Sequence, residues 1–589
     1  MKVVIGDIEL KDAYGVKVAK AFDNASRDSL GIAYAQISPE GRTQKHAHYE
    51  VESYYALSGE ASIIIDGSEV MVLSEGELAK IPAFKSHEII NNSKTTPFSF
   101  ISMYSELSEL QALSQNILIT TAPPTPNGPL HLGHASGPYI AADILHKYLN
   151  LRGHHSQLIS GTDDHQNYVV GKARNLNISV EETIQTYREE IYNGLKNLGS
   201  EYSKLLSPAT DKEFKGYAQA FFRKLEATKA ISLKEVFFPY CECCEEYLID
   251  HNLSGNCIQC GEISSGACES CGYVSSIEEL KDISCSVCKT EGSIRKVEVY
   301  AVSSDRLYNE LNHFHADLGQ NQKQVKELLK RFNVNKDIIL THPGTFGIAV
   351  PELEGQVMHV WFEMAAMYAY LRGSNSGDWF HFFGVDNSYY YLVTVPGLMK
   401  LFDNKIELYK NTQINQFLHL EGKKFSTSRQ HAVWVNGFVN SDNSDAVRLY
   451  LSKISPLQQV QNFTLVDFER YVLHEFETLK EILGICVSNI SEIDPEGLSL
   501  NQKQFYRALN LHIRKMEEQF YAYHFSPAEA VHEIECLVRL ILKYKDQFGT
   551  DGLFAKAQAV LAQSVYPFAP NLATRFMTKN EWVPEVAYV

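Results

Sequence analysis

The chain has 589 residues, 44% of them hydrophobic and 21% charged, an ordinary balance for a water-exposed globular protein of about three to five domains. A formal net charge of −17 argues against avid polyanion binding over a broad surface, although a local basic patch stays compatible with it. No apolar run approaches the roughly 18 residues of a membrane span, and the N-terminus does not read as a secretory leader, so no membrane partner is expected.

Residues 1–108 are expected to fold as a small antiparallel β-domain. Short alternating runs, such as 61–66 and 69–73, are separated by Gly and Ser turns. Within them stand Gly41-x4-His46-x-His48-x3-Glu52-x6-Gly59 and Gly76-x5-Pro82-x4-His87-x3-Asn91. On a strand His46 and His48 share a face. Glu52 and His87 can complete a site of three nitrogens and one oxygen, suited to a divalent transition metal. These stretches resemble the two cupin motifs, and the resemblance implies a β-barrel with His46, His48, Glu52 and His87 as ligands. Zinc is the expected ion, although ligand types alone do not separate it from iron. Phe84 departs from the family, which usually has glycine there.

Residues 109–228 open a second architecture. The run 117–121 is apolar and β-branched and ends in a Pro/Gly cluster, which reads as a buried strand leaving a sheet through a tight loop. His131-Leu132-Gly133-His134 then opens a predicted helix with apolar residues at Ile140, Ile144, Tyr148 and Leu151, stopped at Arg152-Gly153. Strand, loop and helix N-terminus together suit a nucleotide phosphate. A second strand, 157–161, leads into Thr162-Asp163-Asp164-His165. An acidic residue at a strand's carboxyl end can pair with a substrate ammonium, or else cap the next helix.

Nine of the eleven cysteines lie between Cys241 and Cys288. Four CxxC pairs (Cys241/Cys244, Cys257/Cys260, Cys268/Cys271, Cys285/Cys288) make two structural four-thiolate zinc sites within an insert at 229–345, and Cys243 is left over. Paired thiols of this kind argue for metal in a reducing compartment, so a cytoplasmic location is expected.

The HxGH of His131 and His134 gains a partner downstream in Gly422-Lys423-Lys424-Phe425-Ser426-Thr427-Ser428-Arg429. The ordered pair resembles the ATP signatures of class I aminoacyl-tRNA synthetases, the second in its KFSTS form, and the resemblance narrows to the methionyl type. It implies an α/β Rossmann-type catalytic domain with halves at 109–228 and 346–465. It also implies that ATP with Mg2+ is bound by His131, Gly133, His134, Gly384, Asp386, Lys424, Ser426 and Ser428. His131, His134 and Lys424 would be catalytic, and Asp386 would hold the ribose. In the insert, the resemblance has Cys257, Cys260, Cys268 and Cys271 share one zinc and the outer pairs share the other.

The amino-acid pocket is implied at Pro123, Thr125, Asp163, Trp361, Ala365, Tyr368, Tyr390 and Tyr391, with Asp163 on the α-amino group. Here the chain departs from the family. Pro123-Pro124-Thr125 stands for Leu-Pro-Tyr, Trp361-Phe362-Glu363-Met364-Ala365-Ala366-Met367-Tyr368 for Trp-x-Asp-Ala-Pro-x-x-Tyr, and Tyr390-Tyr391 for Phe-His. One methylene shifts selectivity by about 1–3 kcal/mol, so this many changes should abandon methionine for a small or polar amino acid.

Residues 466–589 show long amphipathic patterns and are expected to form an α-helical bundle like the anticodon-binding module. The family's Arg-Asn-Asn is Arg470-Tyr471-Val472 here, and Trp582 is the only tryptophan after Trp434. RNA loop recognition needs aromatic platforms and polar edge readers, so no tRNA partner is expected.

The whole arrangement resembles the bacterial hydrazine synthetases, which fuse a cupin to a methionyl-tRNA-synthetase-like domain. That resemblance implies an amino acid and an N-hydroxylated amine, such as N6-hydroxylysine, as substrates. The competing reading is a methionyl-tRNA synthetase with an accessory cupin. A non-enzymatic regulator is a third.

Overall fold

Along Gly31–Ile37 and His87–Asn91, buried and part-exposed side chains alternate residue by residue, as they do in strands with one dry face. Both strands belong to the first of two units, Met1–Ala112 and Leu113–Val589, into which the chain divides in its computed structural model. The structure describes residues 10–13, 16–22, 31–47, 51–82, 85–105, 113–266, 268, 273–317, 322–332, 336–373, 375–425, 431–486, 498–520 and 525–579.

The first unit is the expected antiparallel β-domain. One sheet runs in the order Lys11–Ala13, Val16–Phe22, Gly31–Ile37, Phe98–Ser105, Val51–Ser58, Leu78–Ile81. The other runs Glu69–Ser74, Glu60–Ile65, His87–Asn91. Ile37, Ala56, Ile63, Ile81 and Phe98 are wholly shielded between them.

The second unit is built on a parallel sheet in the order Lys204–Leu206, His155–Gly161, Asn116–Thr121, Asp378–Gly384, Asn411–Asn415. Consecutive residues of Asn116–Thr121 after the first are all buried, so the strand is covered on both faces and reads as a continuous run. Strand order reverses between Asn116–Thr121 and Asp378–Gly384, and at such a reversal a crevice opens outside the carboxyl ends. The insert is a long antiparallel ribbon, Ser232–Cys241 with Ser293–Ser303, plus a small sheet of Leu253–Asn256, Ile263–Ser264 and Lys281–Cys285.

The helix expected to run unbroken from His131 is interrupted. Leu132–His134 is one turn, Ala135–Tyr139 is a wider π turn, and only Ile140–Leu151 is regular. Pro138 lacks an N–H and Gly137 leaves helical geometry at ψ −110°, so the ladder breaks there. Gly137 is also pinned sterically, because a Cβ would come within 2.7 Å of the Asn415 side chain.

The C-terminal helices Leu500–Glu518, Pro527–Phe548, Gly552–Val565 and Pro570–Lys579 are joined to this core by a buried ion cluster. Arg448 and Asp143 are both fully buried and lie 2.7 Å apart, and Lys147 meets the same carboxylate at 2.7 Å. Arg448 also donates to the carbonyls of Leu198, Pro567 and Phe568. Removing one partner of a buried pair typically costs about 3–5 kcal/mol. Arg448→Met is therefore expected to lower the main calorimetric unfolding transition markedly, and an unchanged transition would show that the cluster contributes nothing to stability.

Candidate active site and metal centres

At the crevice, His131 and His134 cap the single turn reciprocally. The His134 amide donates to His131 Nδ1 (3.2 Å), and the His131 amide donates to His134 Nδ1 (3.4 Å). With both Nδ1 atoms accepting, each ring proton belongs on Nε2, which leaves two N–H donors for an anion. The rings stack 3.6 Å apart. Burial, reinforced by His134, pushes His131 down to about 2, so it serves as a neutral donor rather than a cation.

Phe425, which the sequence reading did not single out, stacks on His131 at 4.9 Å. Beyond the loop the chain returns at Val433–Trp434, where the Leu132 amide donates to the Val433 carbonyl (2.9 Å) and His131 bridges to Trp434. The two distant signatures thus meet. Lys424 is exposed on the short strand Lys423–Lys424, its ammonium 4.3 Å over the Phe417 ring. Ser426, Thr427, Ser428 and Arg429 lie outside the described residues. Gly133 and Gly384 stand close to the site's side chains: a Cβ on Gly133 would meet the His131 ring at 3.0 Å, and one on Gly384 would meet Asp386 Oδ1 at 2.5 Å, so Asp386 would have to shift. Asp386 sits in the turn that leaves Asp378–Gly384.

Asp163 stands past the end of His155–Gly161, its amide held by the Pro124 carbonyl at 3.0 Å. One carboxylate oxygen is shut off from solvent with no hydrogen-bond partner among the described residues, and the other lies 3.5 Å from the Thr125 hydroxyl. Burial, followed by the charges of Glu363, Asp164 and Asp250, pushes its pKa up to about 8. Glu363 is fully buried and accepts from His165 Nδ1 at 2.8 Å. Burial alone would lower His165, but Glu363 holds its pKa above the usual imidazole range. Glu363, His165 and Asp250 escaped the sequence reading, although the first two sit inside the motif windows around Trp361 and Asp163. Anionic groups outnumber cationic ones here, so the pocket is prepared for a cation.

Trp361 stacks on Tyr390 at 3.8 Å, almost parallel, and meets Tyr391 edge-on at 5.4 Å. Tyr368 and Ala365 are fully buried; the Tyr368 hydroxyl donates to the Thr121 carbonyl at 3.1 Å, and Ala365 belongs to the core behind the pocket. Pro123 is half-buried on the loop after Asn116–Thr121.

In the first unit, His46, Glu52 and His87 converge, while His48 and Phe84 lie outside the described residues. Nδ1 of His46 donates to the Gln44 carbonyl (2.8 Å) and Nδ1 of His87 to the Lys85 carbonyl (2.9 Å). That fixes the tautomers and turns both Nε2 lone pairs toward the site, as a metal requires. Glu52 Oε2 lies 3.3 Å from His87 Nε2, and Tyr54 and Ser102 donate to the same carboxylate. In the insert, Cys241, Cys244, Cys285 and Cys288 form one cluster and Cys257, Cys260 and Cys268 another. Cys271 lies outside the described residues, and Cys243 is exposed. The thiol sets fit tetrahedral zinc, with no position left for water in the complete cluster.

An open parallel sheet with paired imidazoles and a lysine loop at its reversal point is a nucleotide-binding α/β fold. The chain belongs to the family described as tRNA synthetases class I (M), whose profile matches residues 117–478. A cupin-domain profile matches residues 33–104, which identifies the N-terminal unit. Among relatives, the methionine–tRNA ligase of Methanocaldococcus jannaschii is 32% identical over 61% of this chain and 56% of its own. That of Methanococcus vannielii is 27% identical over 80% of this chain and 70% of its own. The chain thus spans only a little over half the length of the first of these relatives. In fold it is similar to Mycobacterium tuberculosis methionyl-tRNA synthetase in complex with methionyl-adenylate, with a TM-score of 0.63 at 17% identity over 80% of this chain and 95% of that one. Among the described residues no helix is long and apolar enough to cross a membrane.

Only ionised Asp163 can pair with an ammonium. Because its carboxyl titrates near about 8, amino-acid affinity is expected to weaken about tenfold for each pH unit below that value. Calorimetric titration across pH checks this, and Asp163→Asn should remove the slope together with most of the binding.

Proposed function

We propose that the protein is an ATP-dependent ligase of the hydrazine synthetase kind, acting on an amino acid and an N-hydroxylated amine such as N6-hydroxylysine. The observation that supports this best is the coexistence, in one chain, of an adenylate-type crevice and a cupin ligand set with its tautomers fixed for metal. Covalent fusion raises the effective concentration of one site for the product of the other.

The amino acid's ammonium is held by Asp163. Its carboxylate oxygen attacks the α-phosphorus of ATP, and pyrophosphate leaves. The Nε2–H groups of His131 and His134 donate to the oxygens that gain charge, and Lys424 on its exposed loop adds a cation there. Mg2+ carried with the triphosphate would supply further neutralisation. The acceptor hydroxyl then attacks the acyl carbon, AMP leaves with the electron pair, and an O-ester forms. In that ester the amino nitrogen attacks the hydroxylamine nitrogen. The N–O bond breaks with its electron pair on the carboxylate, one proton is released, and the N–N bond is made. One nitrogen is oxidised as the other is reduced, so no outside oxidant is needed. A divalent ion, zinc in this reading, held by His46, Glu52 and His87 with His48, would supply a Lewis acid for this step. Zinc at the cysteine clusters is structural. The reaction is cytoplasmic and needs neither tRNA nor a membrane.

The relatives' printed activity favours a second reading, a methionyl-tRNA synthetase with an accessory cupin. Two features weigh against it. Tyr390 is stacked against Trp361, which narrows the side-chain pocket. Tyr471, where the family has asparagine, is 5% exposed and packs on Tyr450 at 5.2 Å, where it cannot meet a base.

Mass spectrometry of products from ATP, N6-hydroxylysine and each amino acid in turn is expected to find one amino acid joined to the hydroxylamine nitrogen through an N–N bond. His46→Ala is expected to keep amino-acid-dependent pyrophosphate exchange and lose the N–N product. Methionylation of tRNA, with no such product, would favour the second reading.

A further inference from the structure

Beside the crevice lies a cavity of about 280 Å³ that none of the steps above assigns to a substrate. It opens between the catalytic half-folds and the cysteine-bearing insert. Part of its wall is the reaction site itself, through Trp361, Tyr390 and Asp386. The facing wall carries Asp250 and Lys336, both from the insert, with Lys336 just before the strand Asp337–Ile339. Its size suits a molecule of amino-acid dimensions.

The two charged residues are built differently. Asp250 sits at φ +46°, in the left-handed region that aspartate tolerates better than most non-glycine residues. Among the described residues no cation pairs with its carboxylate, and burial alone pushes its pKa up to about 6. Lys336 donates to the Val274 carbonyl and lies over the rings of Tyr273 (5.2 Å) and Tyr389 (5.5 Å), with Glu279 at 3.9 Å. An ammonium has three N–H donors, so this anchoring fixes its position while leaving capacity for an anion. Tyr168, Tyr389 and Tyr390 give the space between an aromatic lining, which suits an alkyl chain or a cation over a ring face.

We infer that this cavity holds the acyl acceptor, with Asp250 receiving an ammonium and Lys336 a carboxylate, so that the enzyme selects a zwitterionic hydroxylamine over a plain one. The inference rests on the proposed ligase reaction. From this cavity the acceptor approaches past residues that also line the adenylate site, as its oxygen must to bond to the acyl carbon. The bond from that carbon to the phosphate oxygen breaks, AMP leaves with the electron pair, and the hydroxyl proton passes to solvent.

The test uses the full-length protein and two acceptors, N6-hydroxylysine and N-hydroxycadaverine, which keeps the amine and hydroxylamine but lacks the carboxylate. Acceptor-dependent AMP release gives kcat/KM for each, and amino-acid-dependent pyrophosphate exchange without acceptor reports the first half-reaction and the integrity of the fold. Lys336→Met is expected to reduce kcat/KM for N6-hydroxylysine about tenfold or more, spare N-hydroxycadaverine, and leave exchange unchanged. Lys336→Arg should restore most of the preference. Asp250→Asn should weaken both acceptors alike. Equal losses on the two acceptors in Lys336→Met, or none on either, would overturn the assignment of the cavity while leaving the ligase reading intact. Wild-type protein that exchanges pyrophosphate yet releases no AMP with either hydroxylamine would instead overturn the ligase reading, and this inference with it.

Discussion

Among the aspartates of the second unit, Asp143 and Asp163 are treated in opposite ways. Asp143 is clamped by Arg448 and Lys147, and with that compensation it holds the nucleotide helix, the second half-fold and the C-terminal helices together. Asp163 has no ion pair among the described residues: it meets a distant hydroxyl from Thr125 and the repulsion of neighbouring carboxylates, which outweighs the favourable charge of His165. Burying an ion without a partner costs several kcal/mol, whereas a paired one can break even. Asp163 is therefore held mostly protonated near neutral pH, and a bound cation would favour its ionised form. The reversal of strand order locates that carboxyl group at the carboxyl ends of the sheet, where the fold can tolerate an open crevice.

Around this point the chemistry divides cleanly. The phosphate corner is supplied with neutral donors rather than fixed cations, because His131 and His134 lock each other's Nδ1 and His131 is too buried to protonate. Positive charge is left to Lys424, exposed on the short strand Lys423–Lys424. The aromatic wall of Trp361, Tyr390 and Tyr391 trades side-chain room for rigidity. In the cupin unit the same device recurs: backbone carbonyls take the Nδ1 protons of His46 and His87 and aim the opposite nitrogens inward.

Much of this was legible in the sequence because it is written in short-range spacing. The CxxC pairs, the histidine pair before a helix and the alternating runs with His46 and His87 each span a few residues. Cys241, Cys244, Cys285 and Cys288 cluster as local pattern implies, while Cys271 and residues 426–429 of the lysine loop lie outside the described residues. The rest depends on groups that meet only after folding. Glu363, on the helix Val360–Gly373, finds His165 just past the strand His155–Gly161, and Asp250 reaches the crevice from an insert whose composition speaks only of metal. Phe425 gains its place by stacking on a histidine from the other half-fold. No periodicity marks such encounters. The broken helix after His131 was misread for a related reason: the apolar spacing continues through Gly137 and Pro138, while the backbone there yields to the approach of Asn415.

The central claim is that an adenylate-forming crevice hands its acyl group to a small hydroxylamine instead of a nucleic acid. The most direct measurement is AMP release by nuclease-treated protein supplied with ATP and its amino acid, with and without the hydroxylamine. The expected result is at most one AMP per enzyme without the acceptor and sustained turnover when it is added. Sustained turnover that requires methionine and transfer RNA, and ignores the hydroxylamine, would contradict the account.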